Sequence, residues 1–285
     1  MTPARAVELI GGCLCRDRQA WKTIRRRAAS LLSMPVVKHW LVAHFVGFSE
    51  KRLRVAGGDI RFVAGRDDYV AGRPGGVDRL GRFEAPLMEA FLESLRPESI
   101  VFDVGGGIGL YALVASQRTS APVYVFEPNP VCALYLRRNL NGRRYRLIRK
   151  CVGAVDDDQT VTLDRFCDEH RLAPTHVKMD IEGHEIQALK GMRQVLRTHR
   201  PMLFVEFHRR LILQRLGLGE EAVQQFFATL QELGYTLGYN GHHYAMHTSP
   251  ERSYNFEWSD RAPNLVNVAV IARPERAGKE QRSAT

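Results

Sequence analysis

The sequence Ile100-Val-Phe-Asp-Val-Gly-Gly-Gly-Ile-Gly-Leu-Tyr111 decides the fold. A short run of apolar, β-branched residues is followed by glycines and then by an apolar pattern at helical spacing, which predicts a strand, a tight loop and a helix. Glycine lets the backbone turn sharply and lets a ligand approach closely. The first N–H groups of the following helix have no partner within that helix. The stretch is therefore typical of a nucleotide-binding loop.

Two acidic residues narrow the choice of ligand. Asp103 lies at the end of the strand before the loop, and Pro122-Val-Tyr-Val-Phe-Glu127 predicts a second strand that ends in an acid. In doubly wound folds an acid at this place, roughly 20 residues after the glycine loop, accepts hydrogen bonds from ribose hydroxyls. Leu110 stands where a dinucleotide fingerprint has its last glycine. The pattern favours an adenosyl ligand, bound by Asp103, Gly105, Gly107, Gly109 and Glu127.

Four motifs resemble, in order, those of the FkbM family of S-adenosylmethionine-dependent methyltransferases. They are Phe102-Asp-Val-Gly-Gly-Gly-Ile-Gly109, Phe126-Glu-Pro-Asn-Pro130, Thr162-Leu-Asp164 and Lys178-Met-Asp-Ile-Glu-Gly-His-Glu185. The chain departs from the family at Gly106-Gly107, where Ala-Asn is usual, and its segment between Leu147 and Thr162 is short. The resemblance implies S-adenosylmethionine as the cofactor and a Rossmann-like class I methyltransferase fold. That fold has a seven-stranded, mostly parallel sheet whose last strand runs antiparallel.

The rest of the catalytic region alternates strand-like and helix-like patterns. Strands are predicted over residues 100–104, 123–126, 145–148, 176–181, 202–207, 235–239 and 266–272. Helices are predicted over residues 83–95, 130–139, 184–197 and 220–233. Such alternation is typical of a mainly parallel α/β sheet with helices on both faces.

Further cofactor contacts are predicted around the second loop. Pro128 and Asn129 follow Glu127 and fit the cofactor side of that loop, and Gly153 is expected to border the adenine. A simpler interpretation applies to the neighbouring Pro130, which is favourable in the first turn of a helix. Asp164 is likewise interpreted as a residue at a helix start.

Polar residues at two later strand ends are the catalytic candidates. Asp180 lies at the end of one predicted strand and Glu182 just after it, and Glu206 and His208 end the next. The carboxyl ends of strands in an open sheet are where ligands collect, so these groups are expected to position or deprotonate an acceptor. Glu182 has an alternative role as an acid near a helix N terminus, and His208 has one as a cap. Glu185 is predicted to lie on the helix surface.

A divalent metal is a second, less favoured hypothesis for this edge. Asp180, Glu206 and His208 offer oxygen and nitrogen ligands that could hold and acidify a hydroxyl. The sequence shows no three converging ligands, and no residue is assigned to a metal.

The chain of 285 residues, with a formal net charge of +10, is predicted to contain three parts. Residues 1–80 form a basic extension with helices and a hairpin at 53–69, residues 81–273 form the methyltransferase domain, and residues 274–285 form a polar tail. The first 60 residues carry eleven Lys and Arg against four acids, so most of the basic excess is placed there. The apolar segment 36–48 is expected either to pack on the domain or to contact an acidic membrane surface.

The expected reaction is O-methylation of a hydroxyl on a sugar, glycolipid or polyketide-like metabolite, as the family resemblance implies. Five scattered cysteines without a secretory beginning favour free thiols and a cytoplasmic location. Two alternatives use the same sheet: a nicotinamide-dependent oxidoreductase, and a nucleic-acid-directed methyltransferase that would exploit the basic N terminus. Leu110 counts against the first, and the lack of interleaved basic and aromatic residues in the catalytic part counts against the second.

Overall fold

The computed structural model describes residues 48–55, 58–65, 85–207, 216–240 and 268–275. Its strands are β1 Phe48–Val55, β2 Gly58–Gly65, β3 Val101–Val104, β4 Val123–Phe126, β5 Tyr145–Ile148, β6 Cys151–Val152, β7 Thr160–Val161, β8 His176–Met179, β9 Met202–Phe207, β10 Tyr235–Asn240 and β11 Val268–Pro274. Its helices are α1 Ala85–Ser94, α2 Leu110–Ala115, α3 Pro130–Asn139, α4 Leu163–His170, α5 Glu185–Lys190, α6 Arg193–Thr198 and α7 Glu220–Glu232.

Seven strands form one sheet in the order β10-β11-β9-β8-β3-β4-β5. The five strands from β9 to β5 are parallel, whereas β11 runs antiparallel to both of its neighbours. The predicted Rossmann-like sheet and its antiparallel last strand are confirmed. Because β3 and β8 lie in the middle, their residues are covered on both faces.

Successive side chains along each strand point to opposite faces of the sheet, so they pack into two separate cores. Phe102 and Phe126 belong to a core closed by α4, α5, α6 and α7. Val101 and Val125 belong to the opposite core, which α1, α2 and α3 close together with β1 and β2. Helices on both faces are therefore confirmed.

The prediction of one helix over residues 184–197 is wrong in one respect, because the structure has two helices there, α5 and α6. Gly191 lies between α5 and α6, and a Cβ there would overlap the carbonyl oxygen of Gly153. The Asp164 carboxylate accepts hydrogen bonds from the backbone N–H groups of Gln194 and Val195, at 3.0 and 2.8 Å. Asp164 thus lies in the first turn of α4, in keeping with its prediction as a helix-start residue, and it also caps α6.

The predicted hairpin is confirmed as the antiparallel pair β1–β2. Its buried residues Leu53 and Phe62 pack into the core beneath α1 and α3. The Asn139 side chain at the end of α3 bonds both the N–H and the carbonyl of Val63, and its amide nitrogen also donates to the Ile108 carbonyl at 2.7 Å. One amide group therefore joins the hairpin to the glycine loop.

Several predictions fall outside the described residues. They concern the N-terminal helices, nearly all of the apolar segment 36–48, the catalytic-domain start near residue 81 and most of the tail. Among the helices that the structure describes, none has the length and apolarity needed to cross a bilayer. Cys132, Cys151 and Cys167 are free thiols.

His176 on β8 makes the fold sensitive to acid. Its buried ring stacks against Phe204 and meets the Phe91 ring edge-on, and its Nδ1 lies 2.8 Å from Thr175 Oγ1. Burial lowers the pKa of His176 from 6.5 to about 4. The unfolded chain therefore takes up the proton first, and stability is lost as the pH falls from 6.5 towards 4.

We expect His176→Phe to remove this loss while it keeps the aromatic stacking. Between pH 7.5 and pH 4.5 the wild-type free energy of unfolding should fall by about 2–3 kcal/mol more than that of the variant. Urea titrations at the two pH values measure this difference. The same change at the exposed His199 is the control, and equal acid loss in His176→Phe and wild type would contradict the assignment.

Candidate functional site

Four neighbouring parallel strands end at one edge of the sheet, and each brings a predicted site residue there. Asp103 lies near the end of β3, Glu127 follows β4, Asp180 follows β8, and Glu206 lies near the end of β9. Neighbouring strands are about 4.8 Å apart, so these four ends span about 15 Å. Asp180 and Glu206, two of the four catalytic candidates, therefore lie at the same edge, Glu182 follows in the turn after β8, and His208 lies outside the described residues. Their catalytic roles stay predictions.

The glycine loop is shaped by one close backbone approach and one open position. Gly105 has φ +78°, and a Cβ there would overlap the carbonyl oxygen of Asp180. Gly107 has φ +53°, and a Cβ there would meet no protein atom within 4 Å. By contrast, a Cβ at Gly106 would overlap Val125 Cγ1, and one at Gly109 would lie 3.1 Å from Leu136 Cγ. Gly107 is therefore the loop position that faces open space.

Glu127 links the glycine loop to the loop after β4. Its Oε2 accepts from the Gly107 N–H at 2.8 Å, and its Oε1 accepts from the Asn129 N–H at 2.7 Å. Burial raises the pKa of Glu127, while these two hydrogen bonds and the charge of Arg149 act in the opposite direction. A carboxylate offers about four lone-pair positions, so two more hydrogen bonds can be accepted.

Asp103 is buried beneath the glycine loop and contacts the helix that follows it. Its side chain is 2 % exposed, and its Oδ2 accepts from the Ala112 N–H of α2 at 3.0 Å. The carboxylate therefore caps the helix that follows the glycine loop. A direct contact of Asp103 with the cofactor stays a prediction.

The other predicted cofactor residues also have structural contacts. Asn129 Oδ1 caps α3 by accepting from Val131 N–H at 2.8 Å and from Cys132 N–H at 3.4 Å. The Pro128 carbonyl accepts from Arg149 at 2.9 Å. Gly153 donates its N–H to the carbonyl of a β7 residue and lies against Gly191. Cofactor contacts of these three residues stay predictions.

Lys178 is a buried cation at the centre of the site and was not among the predicted site residues. It is 3 % exposed, its Nζ lies 3.5 Å from Asp180 Oδ2, and it lies 4.5 Å from the centroid of the Tyr111 ring. Its Cα also pairs in register with that of Asp103 on β3. A lysine inside a buried strand, two residues before an acid, was the available signal, because buried charges require partners.

The charge of Lys178 acts on both neighbouring aspartates. Burial raises the pKa of Asp103 from 3.8 to about 7, and the Lys178 charge is the largest opposing influence. At Asp180 the ammonium holds one carboxylate oxygen, and the side chain is 28 % exposed. Lys178 therefore offsets one carboxylate within the core and fixes another at the rim of the site.

The segment after β8 contains a correction. Glu185 was predicted to lie on the helix surface, but it is fully buried. Its Oε1 accepts from the N–H groups of Ile181 and Gly183, at 3.1 and 3.2 Å. Glu182 between them is exposed and has φ +53°, a conformation that is costly for a residue with a side chain. Glu185 thus holds the turn that presents Glu182.

Glu206 is 4 % exposed on β9, where it pairs in register with Ala269 of β11. A catalytic role of Glu206 stays a prediction. Across the residues that the structure describes, no group of three His, Cys, Asp or Glu side chains could hold a metal ion. The predicted trio of Asp180, Glu206 and His208 cannot be compared with that result, because His208 is not among those residues.

A double-mutant cycle tests the coupling of Lys178 to Asp103. Lys178→Met removes the charge that opposes the raised Asp103 pKa, so it should cost little through Asp103 below pH 7, where that carboxyl keeps its proton, and about 1.4 kcal/mol more for each pH unit above it. Because the unfolded state releases the Asp103 proton first, stability falls as the pH rises from 3.8 to about 7. In Lys178→Met this fall should continue above pH 7.

Adding Asp103→Asn to Lys178→Met should recover about 1–3 kcal/mol, since neither charge then stays buried. Urea unfolding of the four proteins between pH 5 and pH 8 measures the cycle. Strictly additive effects of the two substitutions would show that the charges do not interact.

Asn139→Ala should loosen both the hairpin and the glycine loop. The change removes bonds to Val63 and Ile108, so we expect a loss of about 2 kcal/mol in the free energy of unfolding. Hydrogen exchange of the loop amides near Ile108 should also become faster. Asn141→Ala, in the exposed turn two residues later, is the matched control. Equal effects of the two variants would contradict a bridging role.

Comparison with known proteins gives one family match. The model of the Methyltransferase FkbM domain matches residues 154–237, which include the Thr162-Leu-Asp164 and Lys178–Glu185 motifs. A curated relative, "Hexuronic acid methyltransferase AglP" of Haloferax volcanii, is 27% identical over 154 residues. That match covers 45% of this chain and 63% of the relative, so the chain spans less than two thirds of the relative's length.

Solved structures give weaker likenesses. A Methyltransferase FkbM from Methylobacillus flagellatus KT is 19% identical with a TM-score of 0.46, over 65% of this chain and 46% of that one. The M. jannaschii TYW2 structure in complex with AdoMet is 14% identical with a TM-score of 0.42, over 81% and 88% of the two chains. The resemblance to the FkbM methyltransferases that four sequence motifs predicted is confirmed by the domain match over residues 154–237.

Proposed function

We propose that this protein is an S-adenosylmethionine-dependent methyltransferase that methylates a hydroxyl oxygen of a sugar. The observation that carries the proposal is the bond between the Glu127 carboxylate and the Gly107 N–H, which joins an acidic strand end to the open position of a glycine loop. The FkbM domain match supports the same reaction class.

The residues present fit S-adenosylmethionine. Glu127 has acceptor positions left for the ribose hydroxyls, and Gly107 leaves space beside them. Asp180 and Glu206 place further carboxylates along the same edge, which favours a ligand that carries positive charge. When bound, S-adenosylmethionine supplies a methyl group that is already activated by the sulfonium charge.

The chain's own contribution is to align the acceptor, exclude water and receive a proton. We assign the proton to the Asp180 carboxylate, because Lys178 fixes one of its oxygens while the side chain stays partly exposed. Glu206 and His208 are proposed to orient the acceptor from β9 and the residues after it. Glu182, exposed on its strained turn, is proposed to contact the acceptor from the solvent side.

The sugar acceptor is proposed by likeness to a relative. The curated relative is named for a hexuronic acid, which is a sugar that carries a carboxylate. We therefore propose a sugar acceptor in preference to a polyketide-like metabolite. Incubation with methyl-labelled cofactor and acidic oligosaccharides tests the acceptor, and stability of the product to alkali distinguishes a methyl ether from a methyl ester.

Calorimetric titration with S-adenosylmethionine and S-adenosylhomocysteine tests the cofactor. Gly107→Ala places a methyl group at the open position and should weaken binding of both ligands by about tenfold or more. Gly142→Ala is the matched control, because Gly142 also has positive φ and also has no atom within 4 Å of a Cβ. Both variants should lose about 1 kcal/mol of stability, and only the first should lose affinity.

Glu127→Ala should abolish binding at the same ligand concentrations. Wild-type protein that is folded and binds neither ligand would overturn the proposal. Binding of a nicotinamide cofactor in their place would favour the oxidoreductase alternative.

A further inference from the structure

The most basic described surface lies on the outer edge of the main sheet. Residues 137–150, Arg-Arg-Asn-Leu-Asn-Gly-Arg-Arg-Tyr-Arg-Leu-Ile-Arg-Lys, contain six arginines, one lysine and no acid. All six arginines are exposed and the lysine is half-buried. We call the basic side chains of this segment the basic edge. The prediction that most of the basic excess is N-terminal was incomplete, because this segment carries as large an excess as residues 1–60.

The basic edge follows the outermost strand from one end of the sheet to the other. It starts at the end of α3, passes through the turn before β5, and follows β5, which is the last strand on its side of the sheet. From Arg144 to Arg149 the chain advances about 16 Å at strand spacing. The amino-terminal corner of the sheet is thereby joined to the carboxyl edge, where ligands are expected.

The basic edge ends at the cofactor loop. Arg149 donates to the Pro128 carbonyl at 2.9 Å, and Pro128 is the residue after Glu127. A chain-like ligand bound along the basic edge would therefore have one end beside the proposed cofactor site. This contact also makes Arg149 part of that site, whereas Arg137, Arg143 and Arg146 lie further along the edge.

Protection of the sheet edge explains only part of this charge. Charged residues on an outer strand prevent pairing with another sheet, which accounts for Arg146. Arg137 lies on a helix and Arg143 in a turn, where no strand edge needs protection. Six exposed arginines in one segment raise the local positive potential instead, and such a potential attracts polyanions.

We propose that the basic edge docks a carboxylated glycan, a chain of uronic acid sugars that presents the acceptor to the site. This proposal rests on the proposed function and specifies its substrate class. Regularly spaced carboxylates complement a row of guanidinium groups, which bind them in bidentate fashion. Proteins that bind single-stranded nucleic acid add exposed aromatic side chains, yet the large hydrophobic side chains exposed among the described residues are Val155 and Leu216.

The test measures glycan binding without turnover. Fluorescence anisotropy of a labelled oligogalacturonate is followed with the full chain over a range of salt concentrations. Arg137→Gln/Arg143→Gln/Arg146→Gln should weaken binding by about tenfold and make its salt dependence shallower. Arg118→Gln/Arg193→Gln/Arg197→Gln removes the same charge from exposed positions elsewhere and should change affinity less than about twofold.

Binding of other labelled molecules tests which class of ligand occupies the basic edge. A labelled neutral oligosaccharide of the same length should not bind. Tighter binding of a single-stranded oligonucleotide or of anionic lipid vesicles, or equal losses in the two triple variants, would overturn the proposal. Titration with S-adenosylmethionine keeps the two proposals separate, because the basic-edge variant should bind the cofactor with wild-type affinity. If the protein binds the glycan through the basic edge but binds no cofactor, only the methyltransferase proposal is overturned.

Discussion

The close approach between the Gly105 backbone and the Asp180 carbonyl is the constraint on which the site depends. The two residues follow neighbouring parallel strands, and only a residue without a Cβ fits at position 105 beside the Asp180 carbonyl. That contact sets the path of the glycine loop on one strand end and the position of the acidic turn on the other. Glu127 then holds the loop from the third strand end. Proposed cofactor and acceptor groups thus share one rigid edge.

The sheet could be predicted from sequence because its signals are local. The strands around Asp103 and Glu127 are short apolar runs closed by glycine or proline, and their ends lie close to where the pattern placed them. A lysine within a buried strand signals that Lys178 needs partners, but its partner Asp103 depends on which strand lies beside which. The role of Glu185 could not be predicted, because it depends on how a turn folds back. Periodicity places Glu185 on a helix but does not show whether the chain covers it.

Buried charges and exposed charges lie in separate regions of this protein. Inside the sheet, burial raises the pKa of Asp103 to about 7, and the charge of the buried Lys178 opposes that rise. At the outer edge, the segment 137–150 contains six arginines and no acid. The two regions meet at Arg149, whose charge acts on Glu127. A ligand with separated positive and negative groups would be oriented by this contrast before it makes specific contacts.

The Asn139 side chain ties the glycine loop to residues far away in the chain. Val63 and Asn139 are separated by 76 positions, and Asn139 and Ile108 by 31. Non-local contacts form late, since the entropy of closing a long loop must be overcome first. The glycine loop would therefore reach its final geometry only when the hairpin has docked, and the proposed ability to bind the cofactor would appear together with the completed fold.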